Sequence, residues 1–467
     1  MVDASRQRTL NRGRLHRFVH GAWVRFADAS AENAYPGLAP LYRRQVAMVD
    51  LPEGEAFYAV DVFHVEGGRQ HDYSLHGPHA EVSWEGIAFP APRPGTLAGE
   101  GVPFGTLFDD PQRARATSGF GGYSGSGFAF LTEPREAQSD RPWAATWHVG
   151  EGHLRIHWLP LQPMTFIACH GYPKGNRALP PLQYVLARRI AQGTQGPLRS
   201  TFVAILEVSP GPLPLRSVRL LPLTPPDAGT VAVEVSHRQG RDVLFFSLTP
   251  QRRYSLPDSV ACQAAFAVLR FGSQGELQRA FVSGGEVSRN GFRLRAPDLT
   301  GSVEQADPDR HEVVARLPKE LRPEALLGRS VLFRAREHQA DYEIFGARRE
   351  GEGWRLWLGD YEWLRGKALV GEVDEARGLV RTPTTLALEA VAPVEGMAVS
   401  NEARTAWWRL KAASRGELTL EGETPLSRLR EDADGDGRPL VLVWDIGRGD
   451  SLFIPGQAED GGGRKEG

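Results

Sequence analysis

The sequence predicts an all-β protein, and three observations carry that expectation. Apolar runs are short and recur roughly every ten residues. Glycine (52) and proline (34) interrupt them where strands must turn. In the clearest run Val231, Val233 and Val235 alternate with Ala232, Glu234 and Ser236, the period-two pattern of a strand. The expected architecture is a large antiparallel β-supersandwich, then a smaller β domain, then a C-terminal β extension.

Taken in order, residues 1–30 read as a leading strand segment and residues 31–300 as the supersandwich. Residues 31–41 hold a short turn. Residues 42–77 read as two strands and the start of a third, with Gly67 and Gly68 making the turn before the last. Further strands are expected in EAFYAVDVFHV, HLRIHWLPL, STFVAILEV and VRLLPL. LPPLQYVLARRIAQG, residues 179–193, is the best helical candidate. Residues 230–248 form a hairpin about Gly240, and the next pair of strands turns at residues 272–275. A polar, proline-flanked stretch at 297–308 marks a boundary. Residues 309–393 are then read as the small β domain, with GWRLWLGDYEWLRGKALVGEV as paired runs, and 394–455 as the extension. Residues 456–467, GQAEDGGGRKEG, are Gly-rich and charged and are expected to be disordered.

Composition narrows the function. A chain of 467 residues can bury more than one core. Its net charge of −2 gives no electrostatic footprint for nucleic acid or for an anionic membrane. The 55 Lys and Arg residues still allow a local patch for a polyanion. Cys169 and Cys262 sit in apolar runs and read as buried free thiols, with one long-range disulfide as the alternative. No apolar run approaches membrane-spanning length. The N-terminal residues carry charge but no apolar h-region, so no secretory signal is read there.

Several residues invite a chemical role, and each has a plainer one. Asp61 lies mid-strand with apolar residues on both faces, so its carboxylate needs a partner, and Arg43 or Arg44 on the preceding strand supplies it. His71, Tyr73 and His76 in GGRQHDYSLHG are the acid–base candidates, with His71 and Tyr73 on one strand face and His76 on the other. The plainer reading is a hydrogen-bonded strand face behind a cleft. Tyr42, Arg43 and Arg44 could face sugar carboxylates, but adjacent arginines on a strand point to opposite sides. His153 and His157 lie too far apart along a strand to share a metal. Asp432, Asp434 and Asp436 match the opening of a calcium loop, yet Val443 stands where the bidentate Glu belongs, and Asp445 or Glu431 would have to complete a looser site. A bare acidic turn is the favoured alternative. GFGGYSGSGF, residues 119–128, is no phosphate loop, and its aromatics, like Trp84, Trp143, Trp147 and Trp158, serve either core packing or sugar stacking.

Five blocks, AYPGLAPLYRRQVAMVD, FYAVDVFHVEGGRQHDYSLHGP, PGTLAGEGVPFGTLFDDP, SGFGGYSGSGF and STFVAILE, resemble the β-sandwich of the heparinase II/III-like polysaccharide lyases in order and spacing. The resemblance covers residues 1–300 well and the remainder loosely. It implies β-elimination on uronate-containing glycans, an acidic polysaccharide as partner, and a periplasmic or secreted location. In that family the base and acid, Tyr and His, sit between an N-terminal α/α toroid and the sandwich, and several members hold zinc. This chain departs from the pattern. None of its 13 histidines forms an H-x-H pair, the matching zinc ligands are absent, and no helical series for a toroid is present. The expectation is therefore the β part of such a lyase, catalytically incomplete by itself and served by a separately encoded toroid chain. The alternatives are a non-catalytic carbohydrate-binding β protein and a truncated gene product.

Overall fold

The computed structural model describes residues 1–7, 13–52, 56–110, 123, 125–193, 196–383 and 393–461. The protein is all-β; among the described residues only short 3-10 turns accompany the strands, and every strand pair in the six sheets they form is antiparallel. No helix among the described residues is long and apolar enough to cross a membrane. The chain divides into two units, Met1–Ala296 with Gln457–Gly467, and Pro297–Gly456.

The first unit stacks four sheets, because its central strands are apolar on both faces. Phe57–Glu66 shows why. Tyr58, Val60 and Val62 point into one core, shared with Phe26, Val203, Ile205, Val233, Phe246 and Phe266. Phe63 and Val65 point into a second, shared with Tyr73, Trp147, Trp158, Phe166 and Phe202. An eight-stranded sheet containing Phe57–Glu66 is thereby packed between a four-stranded and a six-stranded sheet. The six-stranded sheet carries a second four-stranded sheet on its far face, through Phe245, Leu269, Phe271, Cys262 and Val287. Burying one such side chain is worth about 1.5–3 kcal/mol, so two-faced strands bear most of the cohesion. Phe26 stacks on Phe266 at 4.2 Å between centroids, which pins the register of the two middle layers.

The turn between Phe57–Glu66 and Gln70–His76 depends on Gly67 and Gly68. Gly67 has φ +114°, and a Cβ there would lie 2.0 Å from the Leu38 carbonyl oxygen. Only glycine fits. Residues 31–41 hold the short turn Glu32–Ala34. The hairpin about Gly240 pairs Thr230–His237 with Gly240–Ser247, and the following pair joins Phe266–Gly272 to Leu277–Ser283.

Several expectations are corrected. Residues 179–193 are not helical: Leu182–Ile190 is a strand between Gln70–His76 and Met164–Gly171. Its Val185 and Ala187 enter one core and Leu186 another, so cross-strand pairing and burial on both faces override a short helical pattern. The tail is not wholly disordered: Gln457–Gly461 is a strand on Leu277–Ser283, and Glu459 accepts the Ala22 amide. Backbone hydrogen bonds to a free sheet edge hold it despite a polar composition. Residues 462–467 lie outside the described residues.

In the second unit the polar stretch at 297–308 is itself a strand, Leu299–Asp307, and the division falls just before it. Leu299–Asp307 and Ser330–Ala335 both pair with Ser451–Ile454, and Leu364–Leu369 pairs with Leu440–Trp444. Residues 309–393 and 394–455 thus interleave in the same sheets. Gly353–Trp357 pairs with Glu312–Arg316 and Gly346–Glu350 rather than with Leu364–Leu369.

Candidate functional site

Three of the sequence-predicted residues, Tyr42, Arg44 and Tyr73, line one hollow of about 400 Å³ in the first unit, with Gln7, Ser30 and Phe63 among its other walls. Leu41–Asp50 pairs in register with Phe57–Glu66, so Arg43 and Arg44 alternate between its faces. Arg43 turns to Asp28, which accepts from its Nε at 2.7 Å and Nη2 at 2.6 Å, and that pair is closed. Arg44 turns to the other face, where Asp61 accepts from its Nε at 2.9 Å and from Nη2. The ambiguity over the partner of Asp61 therefore resolves in favour of Arg44.

Asp61 is 3 % exposed while the Arg44 side chain is 50 % exposed. The carboxylate is an internal anchor for a side chain that is half exposed. Its Nε and Nη2 edge is committed to Asp61. Tyr73 donates its hydroxyl to the same carboxylate, and its ring lies under the Arg44 guanidinium at 5.8 Å. Tyr42 accepts from Gln7 at 2.7 Å and packs edge-on against Phe63 at 4.9 Å. Burial pushes the Tyr42 phenol up, so it remains a neutral hydrogen-bonding group.

The acid–base trio is not assembled. His71 is fully buried, with Nε2 on the Gly67 carbonyl at 2.7 Å and Nδ1 on Ser200 Oγ at 2.8 Å. Desolvation holds its imidazole down at about 4, so it is a neutral strut with both nitrogens in use. Burial, with the Asp61 charge second, pushes the Tyr73 phenol well above its ordinary value, so it stays protonated. His76 is exposed, lies on the opposite face of Gln70–His76, and packs at a tilt against Tyr184 at 4.6 Å. Spacing placed His71 and Tyr73 on one face, but sequence does not show that a sheet covers that face.

The remaining candidates separate. His157 bonds Glu207 at 2.7 Å, while His148 faces His153 across paired strands and bonds Ser83. Trp143, Trp147 and Trp158 are core residues. Of residues 119–128, Tyr123 and Phe128 are buried, Ser126 bonds Asp109, and 119–122 and 124 lie outside the described residues. Cys169 and Cys262 are buried free thiols in different cores, and burial raises the Cys169 thiol to about 12. Among the described residues the acidic group with converging ligand atoms is Glu402, Asp432 and Asp434. Asp436 is not in it. Asp432 instead accepts the Gly435 and Gly437 amides at 3.0 and 2.5 Å, as an acidic turn does. Asp445 is tied to Tyr342 and Arg365, and Glu431 to Arg428 and Asn401. No histidine joins a group of converging ligands among the described residues.

Phe63, Gln7 and Ser30 belong to the hollow without having been singled out from sequence. The alternation that faces Phe63 with Asp61 was the signal for the first of them. No protein-family model matches the chain, and no curated protein matches it.

Proposed function

We propose that the chain is a uronate-glycan-binding β protein of the heparinase II/III-like lyase type, and that it binds without cleaving by itself. The observation that carries this is the half-exposed side chain of Arg44, whose guanidinium is fixed along one edge by a buried carboxylate at the wall of the hollow. Such a fork suits a sugar carboxylate, and the pre-paid anchoring lowers the entropy lost on binding. Gln7, Ser30 and Tyr42 line the same hollow and offer polar groups to the hydroxyls of a pyranose.

Neutralising a uronate carboxylate is the first requirement of β-elimination, because it acidifies the neighbouring proton. The second is a base within reach, and His71 and Tyr73 are both committed elsewhere. Elimination by this lyase type would therefore draw its base and acid from another polypeptide, a toroid chain.

Affinity electrophoresis in gels containing alginate or heparin, with ultraviolet absorbance for unsaturated product, tests the proposal. The expected result is retarded migration, weakened by salt and by Arg44→Ala, with no product. Unretarded migration in every uronate gel, or retardation indifferent to Arg44→Ala, would defeat the binding claim. Unsaturated product from the purified chain would defeat the claim that it does not cleave.

A further inference from the structure

The second unit carries a larger groove, of about 720 Å³, lined by five arginines and four carboxylates, with Trp407 at its side. It lies between strands of the unit's two sheets, Leu299–Asp307 and Glu312–Arg316 on one side and Ala398–Asn401 and Trp407–Ser414 on the other. The lining is built. Arg409 donates to the Gly396 carbonyl at 2.8 Å and is paired at 2.6 Å with Asp450, whose side chain is 1 % exposed. Arg355 is held between Glu312 and Glu350. Trp407 donates its indole N–H to the Arg404 carbonyl at 3.0 Å.

One end of this groove continues into exposed aromatic rings. Glu312 and Arg355 line the groove, and Trp357 stands opposite Glu312 in register, on the same strand face as Arg355. Trp357 is 39 % exposed, Phe345 43 % and Tyr361 54 %. Phe345 lies 5.7 Å from Trp357 and 6.3 Å from Tyr361 between centroids. Across the other neighbouring strand Trp357 faces Gly346, so no side chain there covers the indole. Buried Trp354 and Leu356 alternate with Arg355 and Trp357, and the pattern W-R-L-W already encoded this split between core and surface.

Exposed ring faces running into a trough of paired guanidiniums and carboxylates fit a particular ligand. A protein partner wants a larger contiguous apolar core. A polyanion meets nearly as many carboxylates as arginines here. A sugar chain of low charge uses both features: its C–H faces stack on the rings, and its vicinal hydroxyls bridge carboxylate and guanidinium oxygens and nitrogens. We infer that this aromatic shelf and groove form a second glycan-binding site, for a neutral or weakly charged oligosaccharide, with Trp357 and Tyr361 as the stacking residues. This site does not rest on the Arg44 hollow, and the two differ in salt response.

The test is affinity electrophoresis of the full chain in gels of soluble neutral polysaccharides: hydroxyethylcellulose, galactomannan, xyloglucan and mixed-linkage glucan. The expected result is retardation in at least one gel, persisting at high salt and kept by Arg44→Ala. Trp357→Ala should weaken it about tenfold, Tyr361→Ala should weaken it too, and Trp357→Phe should restore part of it. Both positions are exposed, and unchanged near-ultraviolet circular dichroism verifies folding. The inference is overturned if no gel retards the protein, or if retardation ignores Trp357→Ala and Tyr361→Ala. It is also overturned if sedimentation shows that the aromatic patch joins two copies of the chain and Trp357→Ala separates them.

Discussion

The Arg44–Asp61–Tyr73 cluster makes an unusual demand on mutagenesis: removing two groups should cost less than removing one. Asp61 is 3 % exposed and depends on Arg44 and Tyr73 for its hydrogen bonds. Arg44→Met keeps the aliphatic stem over the Tyr73 ring but leaves a buried carboxylate with a single donor. Breaking a fully buried pair in this way costs about 3–5 kcal/mol. Half of Arg44 is in water, which can enter when the guanidinium leaves, so about 2 kcal/mol is expected here. Asp61→Asn alone should cost about 1 kcal/mol, since its amide oxygen still accepts from Tyr73 while Arg44 is left to solvent. Adding Asp61→Asn to Arg44→Met removes the orphan charge, and the double variant should recover about 1 kcal/mol relative to Arg44→Met. Hydrogen exchange by mass spectrometry is the suitable assay, because peptides from Phe57–Glu66 report the first unit separately from the second. Two kcal/mol corresponds to about a thirtyfold loss of protection in Arg44→Met, partly regained in the double variant. A double variant no better protected than Arg44→Met would refute the claim that Asp61 is a buried charge held by Arg44.

Other expectations follow from the same packing. His71, held at about 4 by burial against an ordinary 6.5, contributes stability that is present above about pH 6.5 and lost as pH falls towards 4. His71→Gln should flatten that loss in first-unit hydrogen exchange, whereas an unchanged slope contradicts the assignment. Diethyl pyrocarbonate should modify exposed His76 and His148 in the folded protein and spare His71, a difference that peptide mapping reads directly. Asp450 runs the other way: burial raises its carboxyl to about 6 from 3.8, with Arg409 opposing. Its folded form holds the proton more tightly, so its contribution falls as pH rises from about 4 to 6, by about 3 kcal/mol. Asp450→Asn should therefore gain stability over wild type in the second unit at neutral pH, and no gain would show that the Arg409 pairing dominates. Gly77→Ala places a Cβ 2.6 Å from the Trp147 ring and should destabilise the first unit by about 1–3 kcal/mol in the same exchange assay.

Much of the fold was legible because it rests on local signals. Period-two alternation marked Thr230–His237, and paired glycines marked the turn at Gly67 and Gly68. The strand at Leu182–Ile190 was not legible, because its apolar residues serve two cores at once and short two-faced runs look alike as helix or strand. The strand at Gln457–Gly461 carried no apolar signal at all, since what holds it is the free edge of Leu277–Ser283. The interleaving of residues 309–393 with 394–455 was equally silent: pairings between strands distant in sequence leave no local mark.

The candidate site divides along the same line. That Arg43 and Arg44 face opposite ways, and that a buried Asp61 needs one of them, follows from strand geometry and the cost of burying a charge. Which one, and what the other does, depended on Asp28, a residue of the strand Val24–Ser30 paired with Leu41–Asp50. His71 and Tyr73 looked like an acid–base pair because they share a strand face. The same sharing is what disables them, since that face packs against the eight-stranded sheet and both side chains satisfy their polar atoms there. A catalytic proton carrier must lose and regain its proton in reach of substrate. A histidine with both nitrogens occupied and a tyrosine bonded to a buried carboxylate do neither, whereas an arginine anchored from behind loses nothing by being held. The geometry that argues against elimination by these residues is therefore the same geometry that anchors Arg44 from behind, through Asp61.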